Sequence, residues 1–305
     1  MAAGRVEIRP ADTGKGVACR MCWSGISRGT ERLVLSGRVP QSEHQRLRAP
    51  FQEGDFPFPV KYGYAAVALA TEGVLKDRHV FALFPHQTAF ALPENALTPL
   101  PAGLPPERAV LAANMETALN ILWDSGAAAG DRIAIIGGGL VGLLTASLAA
   151  RLPGAEVSVI DLQDRDAIAR RLGCTFACPD RAPVEQDVVI HTSASQSGLA
   201  LALELAGPQA TIVEASWHGS DRVSVPLGGA FHSRRLRLVS SQVGAIPPHK
   251  APRWDFRRRI AKALDLLRDD RLDALISGET AFGDLDKAYP AILADPETLC
   301  HRIRY

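Results

Sequence analysis

No apolar run in this 305-residue chain reaches the roughly 18 residues that cross a bilayer, so a transmembrane helix is not expected. The opening stretch, MAAGRVEIRP (Met1–Pro10), lacks the apolar segment of a secretory signal, and a cytoplasmic location is the expectation. Excess charge of either sign is missing too. Thirty-four Lys and Arg stand against 33 Asp and Glu, for a net charge of +1, which offers no global attraction to nucleic acid or to an anionic membrane. Cysteine is scarce and odd in number: Cys19, Cys22, Cys174, Cys178 and Cys300. That argues against a disulfide framework. Cys19-x-x-Cys22 and Cys174-x-x-x-Cys178 have spacings a metal or redox pair could use, but neither has a second half. They read as small, partly buried residues. No solenoid-length repeat is visible.

What is present suits a two-domain globular protein, with 47% hydrophobic and 22% charged residues. Residues 1–100 carry short apolar runs, Val17–Trp23, Tyr64–Ala70 and His79–Leu83, parted by Gly, Pro and Asp, which predicts strands and turns. Residues 36–60 have no period and read as a long excursion with one helical turn near Ser42–Leu47. From Pro105 the texture changes. Pro105–Asn114 and Glu116–Ser125 predict helices. Strands at Arg132–Ile136, Val157–Asp161, Asp187–Thr192, Thr211–Ala215 and Leu236–Ser240 then alternate with helices at Leu140–Leu152, Asp164–Leu172 and Gly198–Leu205. Short, wholly apolar strands alternating with helices predict an α/β fold with a parallel, doubly wound sheet. Arg257–Arg268 and Leu285–Leu293 predict further helices.

Arg132–Ile136 runs directly into Gly137-Gly138-Gly139-Leu140-Val141-Gly142, a G-x-G-x-x-G between a strand and a helix. The spacing has a physical logic. Gly137 turns the chain tightly, Gly139 lets backbone approach a pyrophosphate, and Gly142 lets helix pack on strand. The free amides at the helix start, including those of Leu140 and Val141, then face the phosphates. Nineteen residues beyond Gly142, Asp161 ends the next strand, where a carboxylate accepts hydrogen bonds from the adenosine ribose and repels a 2′-phosphate. NAD(H) is therefore favoured. Arg165, Arg170 and Arg171 keep NADP(H) as an alternative.

At this point the chain resembles the medium-chain dehydrogenase/reductase superfamily, relatives of zinc alcohol dehydrogenase and quinone reductase. The resemblance rests on Leu100–Ala150, with looser likenesses in SGISRGTE (Ser24–Glu31) and KYGYAA (Lys61–Ala66). The first of these two motifs most resembles the bacteriochlorophyllide hydroxyethyl dehydrogenases. The resemblance implies a Rossmann domain over residues 104–246, inserted in a GroES-like β-rich substrate domain made of residues 1–103 and 247–305. The cofactor would lie at the carboxyl ends of the parallel strands. It also implies Ser193, Ser216, Gln242 and Arg302 near the dinucleotide, and a homodimer joined through Phe231–Ser241, whose edge strand would otherwise be a pairing liability.

The departures bear on the chemistry. Where zinc-binding members carry ligands, this chain has Ser27, Tyr64 and Ala113, and residues 70–110 hold no cysteine for a structural zinc. No zinc is therefore expected. Hydrogen-bond donors must take over its role toward a developing oxyanion, and Ser27, Thr30 and Tyr64 are the candidates. Arg28, Lys61 and Tyr62 stand close by; for Arg28 and Glu31 the plainer reading is a surface ion pair, and for His44 a solvent-facing side chain. The expected activity is hydride transfer between a nicotinamide and a small carbonyl, enone or quinone, or the matching alcohol. The competing class is a dinucleotide sensor or scaffold without chemistry.

Overall fold

The longest strand, β1 (Val17–Ser27), carries Cys19, Met21 and Ile26 into the interior at 1–3% exposure. It continues past the predicted run because Ser24, Gly25 and Ser27, though polar or small, are buried as well. The protein is described by a computed structural model covering residues 4–305, so the first three residues of Met1–Pro10 lie outside it. The chain divides into two units. One comprises the residues up to Ala113 with Ile260–Tyr305, and the other Asn114–Arg259.

In the first unit, helix α1 (Arg28–Leu35) follows β1 immediately; the motif SRGTE thus spans a strand end and a helix start. The long excursion holds a 3-10 turn at Gln41–Glu43 and a two-residue ladder of β2 (Glu53–Gly54) with β3 (Val60–Lys61). Next come β4 (Ala66–Ala70), β5 (His79–Ala82), β6 (Ala89–Leu92) and β7 (Thr98–Pro99). Residues Pro105–Asn114 do not form the separate helix expected. They make turns and a 3-10 segment, Ala109–Leu111, before the single helix α2 (Ala112–Ser125). The two prolines at 105 and 106 lack the amides that a regular helix would use.

The second unit alternates as its hydrophobic pattern requires: β8 (Arg132–Ile136), α3 (Leu140–Ala149), β9 (Glu156–Ile160), α4 (Asp166–Arg171), β10 (Thr175–Ala177), β11 (Gln186–His191), α5 (Gln196–Leu205), β12 (Ala206–Glu214), α6 (Ala230–Ser233) and β13 (Arg237–Ser240). Its six strands are all parallel, in the order β10-β9-β8-β11-β12-β13. That is the Rossmann order, doubled outward from the first strand. Ile133, Ala134, Ile135, Val189 and Ile190 are fully buried, as strands covered on both faces must be. Nine of the ten residues of α3 are buried, which accounts for its all-round apolar sequence. The three-residue β10 was not anticipated; it carries too few apolar residues to stand out.

Helix α7 (Phe256–Leu266) follows. In the first unit, β14 (Ile276–Ala281), α8 (Leu285–Ala294) and β15 (Cys300–Arg304) then complete the chain. The C-terminal strands join the N-terminal sheet, ordered β14-β15-β1-β4-β5-β7, with β6 also paired to β1. No helix among the described residues is long and apolar enough to cross a membrane.

Candidate functional site

In a parallel sheet every strand delivers its carboxyl end to the same edge, so the loops after β8, β9, β11, β12 and β13 gather there. The glycine loop follows β8. Gly137 has φ +111°, and a Cβ on it would lie 2.8 Å from the Ser193 amide nitrogen. A Cβ on Gly142 would lie 1.9 Å from the Gly137 carbonyl oxygen, so this helix-to-strand contact tolerates no side chain at all. Gly139 is different: a Cβ there meets nothing within 4 Å. Its φ of −76° is open to any residue, so nothing among the described residues requires glycine. The direction it leaves free is where a pyrophosphate would approach. No side chain caps α3, so its first amides, at Leu140 and Val141, have no partner within the helix. These features fit a dinucleotide.

Asp161 stands beside the loop, its carboxyl group accepting hydrogen bonds from the amides of Gly138 and, at 2.8 Å, Gln163. Arg165 lies buried against the same turn, where a Cβ on Gly138 would meet its Cγ at 2.8 Å. Arg170 is paired with Asp166. After β11, Ser193 hydrogen-bonds through Oγ to His191 Nε2 at 2.7 Å and to Ser195 Oγ at 2.8 Å. After β12, Ser216 accepts from the Ala194 amide at 3.0 Å. Gln242 is exposed just past β13. Its segment is held by the buried Arg259, which donates to Glu116 at 3.0 Å, to Asn120 and to the Val243 carbonyl. The second unit thus gathers the sequence-derived cofactor residues Gly137, Gly139, Leu140, Val141, Gly142, Asp161, Ser193, Ser216 and Gln242 at one sheet edge. Arg302 lies in the other unit, on β15, paired with Glu279 at 2.6 Å and stacked over Trp23.

The first unit brings the three hydroxyl candidates together. Ser27 ends β1, Thr30 sits in the first turn of α1, and both side chains stand close enough to the Tyr64 phenol to act on its acidity. Burial pushes the Tyr64 phenol up to about 12, although the neighbouring Ser27 and Thr30 hydroxyls pull it down. It is a donor throughout the ordinary pH range and not a base. Tyr62 packs edge-on against Tyr64 at 6.0 Å, and burial raises its phenol further. Ser27, Tyr64 and the buried Ala113 supply no nitrogen, thiolate or carboxylate, so they do not fit a catalytic zinc.

Glu31 is not half of a surface ion pair. It is 1% exposed and accepts from the Ser27 amide at 2.7 Å and from Tyr289 Oη, with His86 Nε2 at 3.1 Å. His86 Nδ1 in turn lies 2.8 Å from Ser24 Oγ, which is 2.8 Å from Tyr305 Oη. Gly63, at φ +122°, lets the chain pass so near His86 that a Cβ would lie 3.0 Å from its backbone and ring. Sequence reasoning missed His86, Tyr289 and Tyr305, whose partners lie 55 to 281 residues away. His44 is half-buried against Phe56, its Nε2 3.2 Å from the Val39 carbonyl. The cysteines are free, and burial pushes the Cys19 thiol up to about 11, far from reactive.

One cluster had no forerunner in the sequence reading. His191, Glu214 and His218 bring one potential ligand atom each within 4.8 Å of one another at the same sheet edge.

No protein-family model matches the chain. An L-threonine 3-dehydrogenase of Bacillus velezensis is 30% identical over 139 residues, which span 45% of this chain but only 38% of that protein. Among solved structures, L-idonate 5-dehydrogenase of Escherichia coli superposes with a TM-score of 0.76 at 15% identity, covering 95% of this chain and 91% of its own. A zinc-binding-type dehydrogenase of Sinorhizobium meliloti, bound to NADP, gives 0.76 at 18% identity, covering 100% and 97%. Both likenesses run nearly end to end and establish the fold, a Rossmann sheet inserted in a GroES-like β-rich unit.

Proposed function

We propose that this protein is an NAD(P)(H)-dependent oxidoreductase of the medium-chain dehydrogenase/reductase type. It would transfer hydride between the nicotinamide and a small carbonyl, enone or quinone, or the matching alcohol, without a catalytic zinc. The observation that carries the reading is the glycine loop, with Gly139 free of neighbours and Gly137 and Gly142 closed against the protein. The dehydrogenases of the same fold, one of them bound to NADP, support it.

When bound, the dinucleotide supplies or accepts the hydride. The protein's part is to hold and polarise. Amides at the start of α3 hold the pyrophosphate, with Gly139 leaving room. Asp161 accepts from the adenosine ribose and disfavours a 2′-phosphate, so NAD(H) is preferred, although Arg165 keeps a positive charge at the same turn. Ser193, Ser216 and Gln242 line the cofactor edge. Tyr64, kept neutral by burial and flanked by Ser27 and Thr30, donates to the substrate oxygen on which charge develops. A donor of this kind favours reduction; nothing in the cluster lowers the pKa of an alcohol.

The test is a fluorescence titration of the purified protein with NADH and NADPH, followed by a screen of carbonyl, enone and quinone substrates. Tighter binding of NADH, turnover, and relaxed cofactor discrimination in Asp161→Ala are expected. Saturable binding without turnover on any class would make it a dinucleotide sensor; absence of binding would end the reading. Among the described residues the strand β13 pairs on one side only and exposes Leu238, which supports a homodimer joined at this edge; a cytoplasmic location is part of the same proposal. A monomer mass by light scattering at micromolar concentration would refute the dimer.

A further inference from the structure

We propose that His191, Glu214 and His218 form a binding site for one divalent transition-metal cation, zinc being the best chemical match. The inference does not rest on the dinucleotide reading, and the site lies in the other unit from Ser27 and Tyr64.

The topology creates the pair at its centre. His191 is the last residue of β11 and Glu214 the last of β12, and the parallel ladder sets them opposite each other. His191 is fully buried, and its Nδ1 lies 2.6 Å from Glu214 Oε2. Four residues past Glu214 the chain returns His218 to the same oxygen, with Nε2 3.5 Å away. That separation is too long for a hydrogen bond, yet the nitrogen is sealed from solvent and has no hydrogen-bond partner among the described residues. A buried polar atom without a partner is costly unless something else satisfies it. The two imidazoles lie 25° from parallel with centroids 6.0 Å apart, so both face the carboxylate from neighbouring directions.

The donor set is two imidazoles and one carboxylate, the nitrogen and oxygen mixture that zinc accepts with a fourth position left for water. Ligand atoms about 2.1 Å from a tetrahedral ion lie about 3.3 Å from one another. The His218–Glu214 separation already has that value within a few tenths of an ångström. The 2.6 Å His191–Glu214 contact must open by about 0.7 Å as its shared proton leaves, and the two histidine nitrogens, within 4.8 Å of each other, must settle at the same spacing.

The surroundings accommodate the change. Ser193 Oγ, 2.7 Å from His191 Nε2, accepts a proton on Nε2 as readily as it donates one, so Nδ1 can turn its lone pair to a cation. Glu214 Oε1 is fixed by the Ser216 amide at 2.7 Å, leaving Oε2 to the cation. Glu214 and His218 keep 18% and 17% of their side-chain surface exposed, which gives an ion a route in. A merely structural histidine–carboxylate pair would account for His191 and Glu214. It leaves the orphaned nitrogen of His218 without a role.

Chelator-stripped, dinucleotide-free full-length protein is titrated with zinc chloride by calorimetry, and with cobalt(II) while visible absorption is recorded. One equivalent of zinc with a micromolar or lower Kd is expected. His218→Ala should weaken it at least a hundredfold and leave the apo melting temperature unchanged. The cobalt complex should show visible d–d bands with no intense near-ultraviolet thiolate band. Absence of saturable binding at micromolar zinc, equal affinity in His218→Ala, or a thiolate band from Cys19, Cys22, Cys174 or Cys178 would each overturn the assignment. Because the probe is the metal alone, failure here leaves the NADH titration intact, and the reverse.

Discussion

Two sites, one in each unit, treat their buried polar groups in opposite ways. At the carboxyl edge of the parallel sheet, polar groups are left incomplete: the first amides of α3 have no capping side chain, and His218 keeps a nitrogen unmatched. Around Glu31 the groups close on one another, with Ser27, Tyr289, His86, Ser24 and Tyr305 joined in one hydrogen-bonded chain. The first arrangement is poised for something from outside. The second is a scaffold that fixes the hydroxyl cluster of Ser27, Thr30 and Tyr64. The difference teaches where substitutions should register, in binding for one unit and in stability for the other.

The largest effect expected is therefore in the closed network. Glu31→Leu strands the Ser27 amide, the Tyr289 hydroxyl and His86 in the interior and should cost about 3 kcal/mol or more. Denaturant unfolding measures it; a loss below about 1 kcal/mol would mean that water reaches the cluster, and the contrast between the units would break. The open edge is sharpened by two substitutions three residues apart. Gly139→Val should weaken NADH binding at least tenfold, about 1.4 kcal/mol, with little change in apo melting temperature, since its Cβ meets nothing. Gly142→Ala, aimed at a backbone oxygen 1.9 Å away, should lower the melting temperature as well. Equal behaviour of the two in both assays would mean that the glycines are only a turn.

The last effect is electrostatic and confined to high pH. The Tyr64 phenol is raised from its ordinary value of about 10 to about 12 by burial, against the pull of Ser27 and Thr30. Between those values the unfolded chain gives up the proton and the folded chain keeps it, so stability falls as pH rises. Below pH 10 both states are protonated and this group contributes no slope. Tyr64→Phe should flatten the decline between pH 10 and 12 by up to about 1.4 kcal/mol per pH unit. Urea melts at pH 9, 10 and 11 test this, and an unchanged slope would mean that Tyr64 is not sequestered.

What could be read from the sequence follows the same division. The second unit was legible because its signals are local: β8 was bounded to the residue, and the glycines stand within six positions. The hydroxyl cluster was reached through resemblance, and its three members do meet. The network beneath it was illegible, since Glu31 and Tyr289 are 258 residues apart and only the joining of β15 to β1 brings the ends of the chain together. Glu31 in isolation looked like any charged residue on a helix. The pairing of His191 with Glu214 depends on the register of two parallel strands, which no spacing within either strand encodes.

The strand order has a kinetic corollary. Amides at the centre of the second unit, on β8 and β11, escape to solvent only when the whole sheet opens, and their protons should exchange last. Those on β13, which has a neighbour on one side only and mostly exposed side chains, should exchange through local fraying. If copies of the chain join at that edge, deuterium uptake by Arg237–Ser240 becomes a function of protein concentration while uptake by β8 does not. The sheet would then carry its own internal clock for assembly.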